Sequence, residues 1–484
     1  MNKSDSQKIF AQFLDVVQEV PEKIALITDQ SQMSYRDISN LARVIDIQLS
    51  QYNIKKGQTI VLASKRAEFV FAFLIVSSFR NFTLVFASDR EIKNGGLEFD
   101  RIVGTEESPC FSVASQIIIE PAWFDLMGSI PEWNWDGNEE GSCAFVTTTS
   151  GSTGRPKFVY LSEEAILKDI AEIRWDSGSE LRSMRHVSTS QTTAGVSLRT
   201  NLRVLLAGGS VIATCESLQT AIQMAELWRA SNMTTTPGAM QATLSQNKSE
   251  QYLSNLRKIV LMGAYAPTEL LQKLSEKTPA EVFTSYGASE TGPLIIDRFD
   301  RESPSQAGHM GRIDRSDIDA VFCDEDGKID RDLSKGELVI KFKEPYERKY
   351  LGSSVEETYL QKDLFRSGDI LRRNGDVFYY LGRKKNVLNQ NGNKYSLESI
   401  EQTLKSVFPN TEFVALAVKD QQGFEQLGLT YSGRTELSHA SVQHILKQKW
   451  STMTLGRLLR LQGIPMTANG KVDRKKIENN LTSQ

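Results

Sequence analysis

The chain predicts an α/β protein, with a large N-terminal domain of layered α/β subdomains and a small, mobile α+β domain behind it. Short β-branched runs alternate with helical stretches, as in strand–helix–strand units built around a largely parallel sheet. At 484 residues the chain exceeds one ordinary core, so at least two domains are expected. Beyond Gly382-Arg383-Lys384-Lys385 the remaining segment has its own apolar alternation, Phe413-Val414-Ala415-Leu416-Ala417-Val418. A domain needs about 100 residues, which that segment supplies. The expected domains are therefore 1–384 and 385–484.

The elements follow in order. Ile9, Phe10, Phe13, Leu14, Val17 and Val20 recur at helical spacing and predict an opening amphipathic helix. Ala25-Leu26-Ile27 is the first strand. Met33-Ser34-Tyr35 makes a turn into a helix running from Arg36 towards Leu49. Thr59 to Leu62 and Thr83 to Phe86 are strands flanking a helix, Glu68 to Phe79, whose apolar run from Phe69 to Val76 is too short to cross a bilayer and reads as buried. Ala144 to Thr147 and Phe158 to Leu161 are strand candidates. Later, Val211-Ile212-Ala213, the helix from Leu218 to Ala230 and the strand Ile259-Val260-Leu261, ending at Gly263, resume the alternation. The run Asn386 to Asn393, rich in asparagine, reads as loop.

Composition excludes several classes. The chain is 40% hydrophobic and 24% charged, as a soluble globular protein is, and its net charge of −3 gives no reason to expect nucleic acid or an anionic membrane. Cys110, Cys143, Cys215 and Cys323 are scattered without metal-ligand spacing, which suits a reducing compartment. The start Met1-Asn2-Lys3-Ser4-Asp5 has no apolar core of a signal peptide behind it, so the cytoplasm is the expected location.

Chemistry concentrates in Thr147-Thr148-Thr149-Ser150-Gly151-Ser152-Thr153-Gly154-Arg155-Pro156-Lys157. Backbone N–H groups around glycines form an anion-binding concavity, Ser and Thr hydroxyls add donors, and Lys157 adds a charge. The plain alternative is a Ser/Thr/Gly surface loop. A Walker loop would need Gly-Lys-Ser/Thr, whereas Pro156 precedes Lys157 and Phe158 follows it. The segment resembles the phosphate loop of the adenylate-forming enzymes, which include acyl- and aryl-CoA ligases, peptide-synthetase adenylation domains and luciferases. It lacks only that pattern's final glycine, at Phe158, which is expected to pack within its strand.

Further segments resemble that family's motifs in the family's order. Lys56-Gly57-Gln58-Thr59-Ile60 matches the opening block. In Ser285-Tyr286-Gly287-Ala288-Ser289-Glu290-Thr291-Gly292 the resemblance implies that Glu290 holds Mg²⁺, as a hard cation requires of a carboxylate, that Ser289 meets the α-phosphate and that Tyr286 lies against adenine. The alternative is a helix N-terminus capped by Ser289. Phe365-Arg366-Ser367-Gly368-Asp369 implies ribose binding by Asp369, against the alternative of a simple Gly-Asp turn. In Leu381-Gly382-Arg383-Lys384-Lys385, Arg383 would reach ribose or phosphate and Lys385 would be the hinge on which the small domain pivots between two reaction steps. Asn389 stands where the family usually has a lysine, with Gly392 kept. In Asn469-Gly470-Lys471-Val472-Asp473-Arg474, Lys471 would reach the carboxylate and α-phosphate, where a cation offsets developing negative charge. Catalysis thus falls to Lys471, Glu290 and Lys157. Nucleotide contacts fall to Thr149, Ser150, Gly151, Ser152, Thr153, Gly154, Gly263, Ala264, Tyr265, Ser285, Tyr286, Gly287, Ser289, Asp369 and Arg383.

The resemblance implies activation of a carboxylic acid by ATP, with Mg²⁺, to acyl-AMP and pyrophosphate, then transfer to a thiol. No phosphopantetheine attachment segment follows Lys471, so the thiol is expected from CoA or a separate carrier protein, with a lean towards the carrier. The acid pocket falls on Thr192, Gly195, Gly263, Gly287 and Gly308, with His309 ambiguous. Amino-acid-activating relatives place an aspartate where Gly195 falls, and no acidic residue lies between His186 and Cys215. An unpaired ammonium in a closed pocket is costly, so a fatty or aryl acid is favoured over an α-amino acid. The alternatives are a free-standing amino-acid adenylation enzyme and a silent nucleotide-binding scaffold. A luciferase-like oxygenase is possible by family, without support in the chain.

Overall fold

The computed structural model describes residues 8–482 apart from 107–109, 121–122, 124–129, 131, 134–142, 151–155, 177, 215–216, 247–248, 303–307, 314, 325, 345, 353–359, 362, 385, 391–392, 420–424 and 468–470. It divides into two compact units, one of residues 1–305, 312–319 and 341–365, the other of 306–311, 320–340 and 366–484.

The first unit is layered α/β, as the alternation predicts. Strands Thr59–Leu62 and Thr83–Phe86 pair in parallel, and the helix Ala67–Arg80 between them is buried from Ala67 to Ser78, as its apolar run requires. Their sheet has seven strands. Strand β1 (Ala144–Ser150) joins Thr83–Phe86 in parallel, and β2 (Pro156–Ser162) returns antiparallel to β1. Behind β2 comes helix α1 (Glu163–Ala171), capped by Ser162, whose hydroxyl accepts from the Ala165 N–H. Burial raises the Glu163 carboxyl even as Ser78 and the Ile9 N–H donate to it, which ties the N-terminal helix Ile9–Glu19 to this layer.

A second sheet of the same unit runs parallel from Ile24–Ile27 through Ser210–Ile212, Arg185–Ser188, Asn232–Thr235 and Lys258–Met262 to β3 (Glu281–Ala288). Helix α2 (Gly195–Leu206) precedes the strand Ser210–Ile212. Strand β4 (Gly292–Arg298) closes a hairpin with β3, and β5 (Arg348–Leu351) lies antiparallel beside β2 in the first sheet. The residues between these sheets come from distant parts of the chain. That topology is what brings sequence-separated groups to one place.

In the second unit, β6 (Leu364–Asn374) and β7 (Val377–Arg383) form a hairpin. Its C-terminal part is α+β. The strands Glu412–Lys419, Glu425–Ser432 and Leu455–Arg460 make a sheet, packed with the helices Leu397–Val407 and His439–Lys449 around Leu388, Ile400, Leu404, Leu429, Val442 and Leu446. The stretch expected as an asparagine-rich loop is instead a hairpin, Val387–Gln390 against Asn393–Ser396. Leu388 and Tyr395 face each other across it and are buried, so core burial outweighs the turn propensity of the asparagines.

Candidate active site

Strands β1 and β2 are the two stems of the proposed phosphate loop. Thr149 pairs with Lys157 and Ser150 with Pro156 at the hairpin's end. Gly151, Ser152, Thr153 and Gly154 lie outside the described residues. Phe158 is fully buried within β2, as expected of the residue that displaces the family's glycine. Two glycines make room for it. A Cβ at Gly95 would stand 2.2 Å from the Phe158 ring, and one at Gly352, where φ is +93°, would stand 2.7 Å from the Gly95 carbonyl oxygen and 3.5 Å from the ring.

Ser285, Tyr286 and Gly287 end β3, and Ser289-Glu290-Thr291 turns the chain into β4. The helix N-terminus capped by Ser289 is therefore not formed. Gly292 takes φ +69°, the left-handed residue that follows a three-residue hairpin loop, and a Cβ at Gly287 would sit 2.2 Å from the Gly292 carbonyl. These two glycines allow a hairpin where serine capping would otherwise favour a helix.

The turn is held from behind by charges that no motif announced. Asp169 of α1 is completely buried among three arginines. Arg199 Nε lies 2.9 Å from its Oδ2, Arg348 Nη2 2.9 Å from Oδ1, and Arg315 Nη2 3.2 Å from Oδ1. Asp317 adds a second anion 2.6 Å from Arg315. Each guanidinium also donates to one carbonyl of the turn: Arg199 to Ser289 (2.7 Å), Arg348 to Glu290 (2.9 Å) and Arg315 to Thr291 (2.6 Å). Burial alone would raise the Asp169 carboxyl, but Arg348, Arg199 and Arg315 outweigh it and hold it below the usual carboxylate range. The signal in the sequence is a pair of arginines, Arg199 and Arg203, within helix α2, which periodicity does not interpret.

Glu290 is fixed at its side chain as well. The Tyr350 hydroxyl donates to Glu290 Oε1 at 2.6 Å, and Lys157 Nζ lies 5.1 Å from the centroid of the Tyr350 ring. The site's carboxylate and its cation therefore meet one phenol, a residue the sequence gave no reason to single out.

Of the acid-pocket candidates, Thr192 is buried and Gly195 opens α2. A Cβ at Gly195 would lie 3.0 Å from Ser289 Oγ and 3.3 Å from Arg199 Nη1. The place where amino-acid-activating relatives keep an aspartate thus faces a hydroxyl and a guanidinium. Gly263 follows Lys258–Met262 at φ +86°, with Ala264 and Tyr265 next. In the second unit Gly308 has φ +83°, and a Cβ there would meet the Tyr380 carbonyl at 2.8 Å, while His309 stands edge-on to Tyr379.

Also in the second unit, Asp369 is buried within β6, with Gly368 at φ +70°, so this Gly-Asp pair is part of a strand and not a simple turn. Arg383 of β7 lies opposite in register, its Nε 2.7 Å from Asp369 Oδ1. The two residues expected on the ribose pair with each other here, Asp369 buried and Arg383 exposed. Lys385 and Gly392 lie outside the described residues, as do Asn469 and Gly470. Lys471 is described and exposed, its N–H donating to Thr467 Oγ1.

Comparison with known proteins bears directly on this arrangement. Residues 112–344, which span the phosphate-loop hairpin and the Glu290 turn, match the model of the AMP-binding enzyme family. The chain thus carries an AMP-binding enzyme domain over those residues. It is 24% identical to D-alanine--D-alanyl carrier protein ligase of Bacillus cereus over 96% of this chain and 98% of that one. The Bacillus cytotoxicus protein of the same name is 24% identical over 76% and 77%. Among solved structures, the anthranilate CoA ligase AuaEII in complex with anthranoyl-AMP superimposes with a TM-score of 0.81 at 17% identity, covering 99% of each chain. O-succinylbenzoate coenzyme A synthetase from Bacillus subtilis, in complex with ATP and magnesium ion, gives 0.73 at 18% identity over 96% and 99%. The protein is an AMP-forming acid–thiol ligase that uses ATP. No described helix is long and apolar enough to cross a membrane.

Proposed function

We propose that this chain is a ligase that activates a small carboxylic acid without an α-ammonium group and loads it onto the phosphopantetheine thiol of a carrier protein in the cytoplasm. The observation that carries the choice of acid is the surroundings of Gly195, where Ser289 Oγ and the buried Arg199 stand in place of an anion. Asp169 is no substitute for that anion, since three arginines already engage it. The carrier as acceptor is supported by the names of the curated relatives, D-alanine--D-alanyl carrier protein ligases, and the surroundings of Gly195 weigh against the amino acid that those names carry.

In this reading the chain's own residues act as follows. Thr149, Ser150 and Lys157 receive the triphosphate at the end of the β1–β2 hairpin. Lys471 approaches the acid's carboxylate and the α-phosphate, lowering the repulsion between two anions as the acyl-phosphate bond forms and pyrophosphate leaves. Asp369 turns from Arg383 to the ribose hydroxyls, leaving Arg383 for phosphate. The segment 385–484 then pivots at Lys385 to admit the thiol. Glu290 suits Mg²⁺, because that ion keeps several waters, takes one or two carboxylates and draws its other ligands from phosphate. Bound there, the ion would neutralise phosphate charge.

Acid-dependent pyrophosphate–ATP exchange over fatty, aryl, hydroxy and amino acids tests the proposal, with Lys471→Ala as control. Exchange with a non-amino acid that the variant loses is the expected result. Exchange confined to amino acids sinks the substrate assignment, and ATP binding without exchange for any acid sinks the ligase reading in favour of a silent scaffold.

A further inference from the structure

Strand β5 grips Glu290 twice. Arg348 and Tyr350 are two residues apart, so they project from the same face of the strand. The first donates to the Glu290 carbonyl at 2.9 Å and the second to its carboxylate at 2.6 Å. Main chain and side chain of one residue are thereby fixed from one strand. A contact of 2.6 Å between a phenol and a carboxylate is in the range of charge-assisted bonds, the stronger kind.

The same phenol also serves the phosphate-loop lysine. Tyr350 lies opposite Val159 in the β2–β5 ladder, which makes Lys157 its diagonal neighbour on the shared face. An ammonium within about 6 Å of a ring centroid is attracted to the ring face, and Lys157 Nζ is 5.1 Å from it. One side chain thus occupies the hydroxyl end with the anion and the ring face with the cation.

We propose that Tyr350 is a positioning residue of the nucleotide site, holding the Glu290 carboxylate in the rotamer that receives the divalent cation while its ring braces Lys157 for the phosphates. The inference rests on reading Glu290 as the metal carboxylate. The phenol holds the two opposite charges at different parts of one side chain, the carboxylate at its hydroxyl and the ammonium at its ring face. Ligand-orienting groups outside the metal's own ligands typically account for about 10- to 100-fold in affinity.

The test is Mn²⁺ binding in the presence of α,β-methylene-ATP, read by the electron paramagnetic resonance of free Mn²⁺, beside metal-free nucleotide binding by calorimetry. Tyr350→Phe keeps the ring and removes the hydroxyl, and is expected to weaken Mn²⁺ about 10-fold while metal-free nucleotide affinity changes less than about twofold. Tyr350→Leu removes both contacts and is expected to weaken both. Glu290→Gln fixes the reference. If it weakens Mn²⁺ and Tyr350→Phe does not, the positioning role is overturned while the metal site stands. If Glu290→Gln leaves Mn²⁺ binding unchanged, the metal reading fails and the positioning role falls with it. Thermal melts of all three variants accompany the titrations, and a Tyr350→Phe that melts like wild type yet loses Mn²⁺ separates positioning from folding.

Discussion

Replacing Asp169 with asparagine keeps the side chain's shape and removes one charge. Asp169 is fully buried and receives Arg199 at 2.9 Å, Arg348 at 2.9 Å and Arg315 at 3.2 Å. With Asp317 still paired to Arg315 at 2.6 Å, the cluster would go from three cations and two anions to three and one. Breaking a single buried pair costs about 3–5 kcal/mol, because the abandoned charge stays desolvated. Two of the three arginines here have no second carboxylate among their described ion pairs, so the upper part of that range applies. Unfolding in urea, followed by tryptophan fluorescence, should therefore show a loss of about 4 kcal/mol. In a thermal melt, with about 2–4 °C per kcal/mol for a domain of this order, that is roughly 8–16 °C. The pH dependence has a definite sign. Asp169 titrates below its unfolded value, so its contribution is present above about pH 4, the unfolded carboxyl's range, and is lost as pH falls through the depressed folded value. The variant's stability should thus converge on that of the wild type in acid. A loss below about 1 kcal/mol at neutral pH, or a difference that grows in acid, would refute the assignment of Asp169 as the cluster's central anion.

The remaining predictions concern other parts of the molecule. His186 is buried against Thr234 Oγ1 at 2.7 Å, and burial, with Arg203 beside it, lowers its pKa to about 3. Its folded value lies below the unfolded one, so it costs stability as pH drops from about 6.5 towards 3, at about 1.4 kcal/mol per pH unit. His186→Gln should flatten that slope, and NMR titration should find the ring neutral at pH 5. Phe158→Gly should cost about 3–5 kcal/mol in urea unfolding through the cavity it leaves. Gly95→Ala should be harmful alone and tolerated beside Phe158→Gly, a coupling of more than about 1 kcal/mol in a double-mutant cycle. Asp369→Asn should raise the KM for ATP about tenfold or more while leaving affinity for inorganic pyrophosphate near that of the wild type, since the loss of a buried charged acceptor costs 1.5 kcal/mol or more, by about the worth of one such bond.

The fold was legible because it is written in local pattern. Thr59–Leu62, Thr83–Phe86 and the helix between them follow from β-branched runs around an unbroken apolar stretch. Sequence read a helix N-terminus at Ser289 as the alternative to binding by the Glu290 segment, because Ser-Glu is also a capping signal. Only the approach of Gly287 to the Gly292 carbonyl decides for a hairpin, and that is a contact across strands. Asp169, Arg199, Arg315 and Arg348 were illegible for a related reason. Each is an ordinary charged residue in its own segment, and their meaning arises where two helices, one strand and the connection between two other strands meet. Tyr350 likewise reads as strand-forming until its neighbours across β2 and β3 are in place.

The three carbonyls behind Glu290 carry a lesson for anyone recombining this protein with its relatives. Ser289, Glu290 and Thr291 are held by side chains from positions 199, 315 and 348, and these are tied together through position 169. Helix α2, which contains Gly195, also contains Arg199, so it is not a cassette to be exchanged alone. Crossovers on both sides of it would separate the Arg199 guanidinium from the Asp169 carboxylate and from the Ser289 carbonyl at once. Chimeras that inherit 169, 199, 315 and 348 from one parent keep the turn's scaffold intact. Those that mix these four positions begin with a misplaced Glu290, whatever acid they were meant to accept.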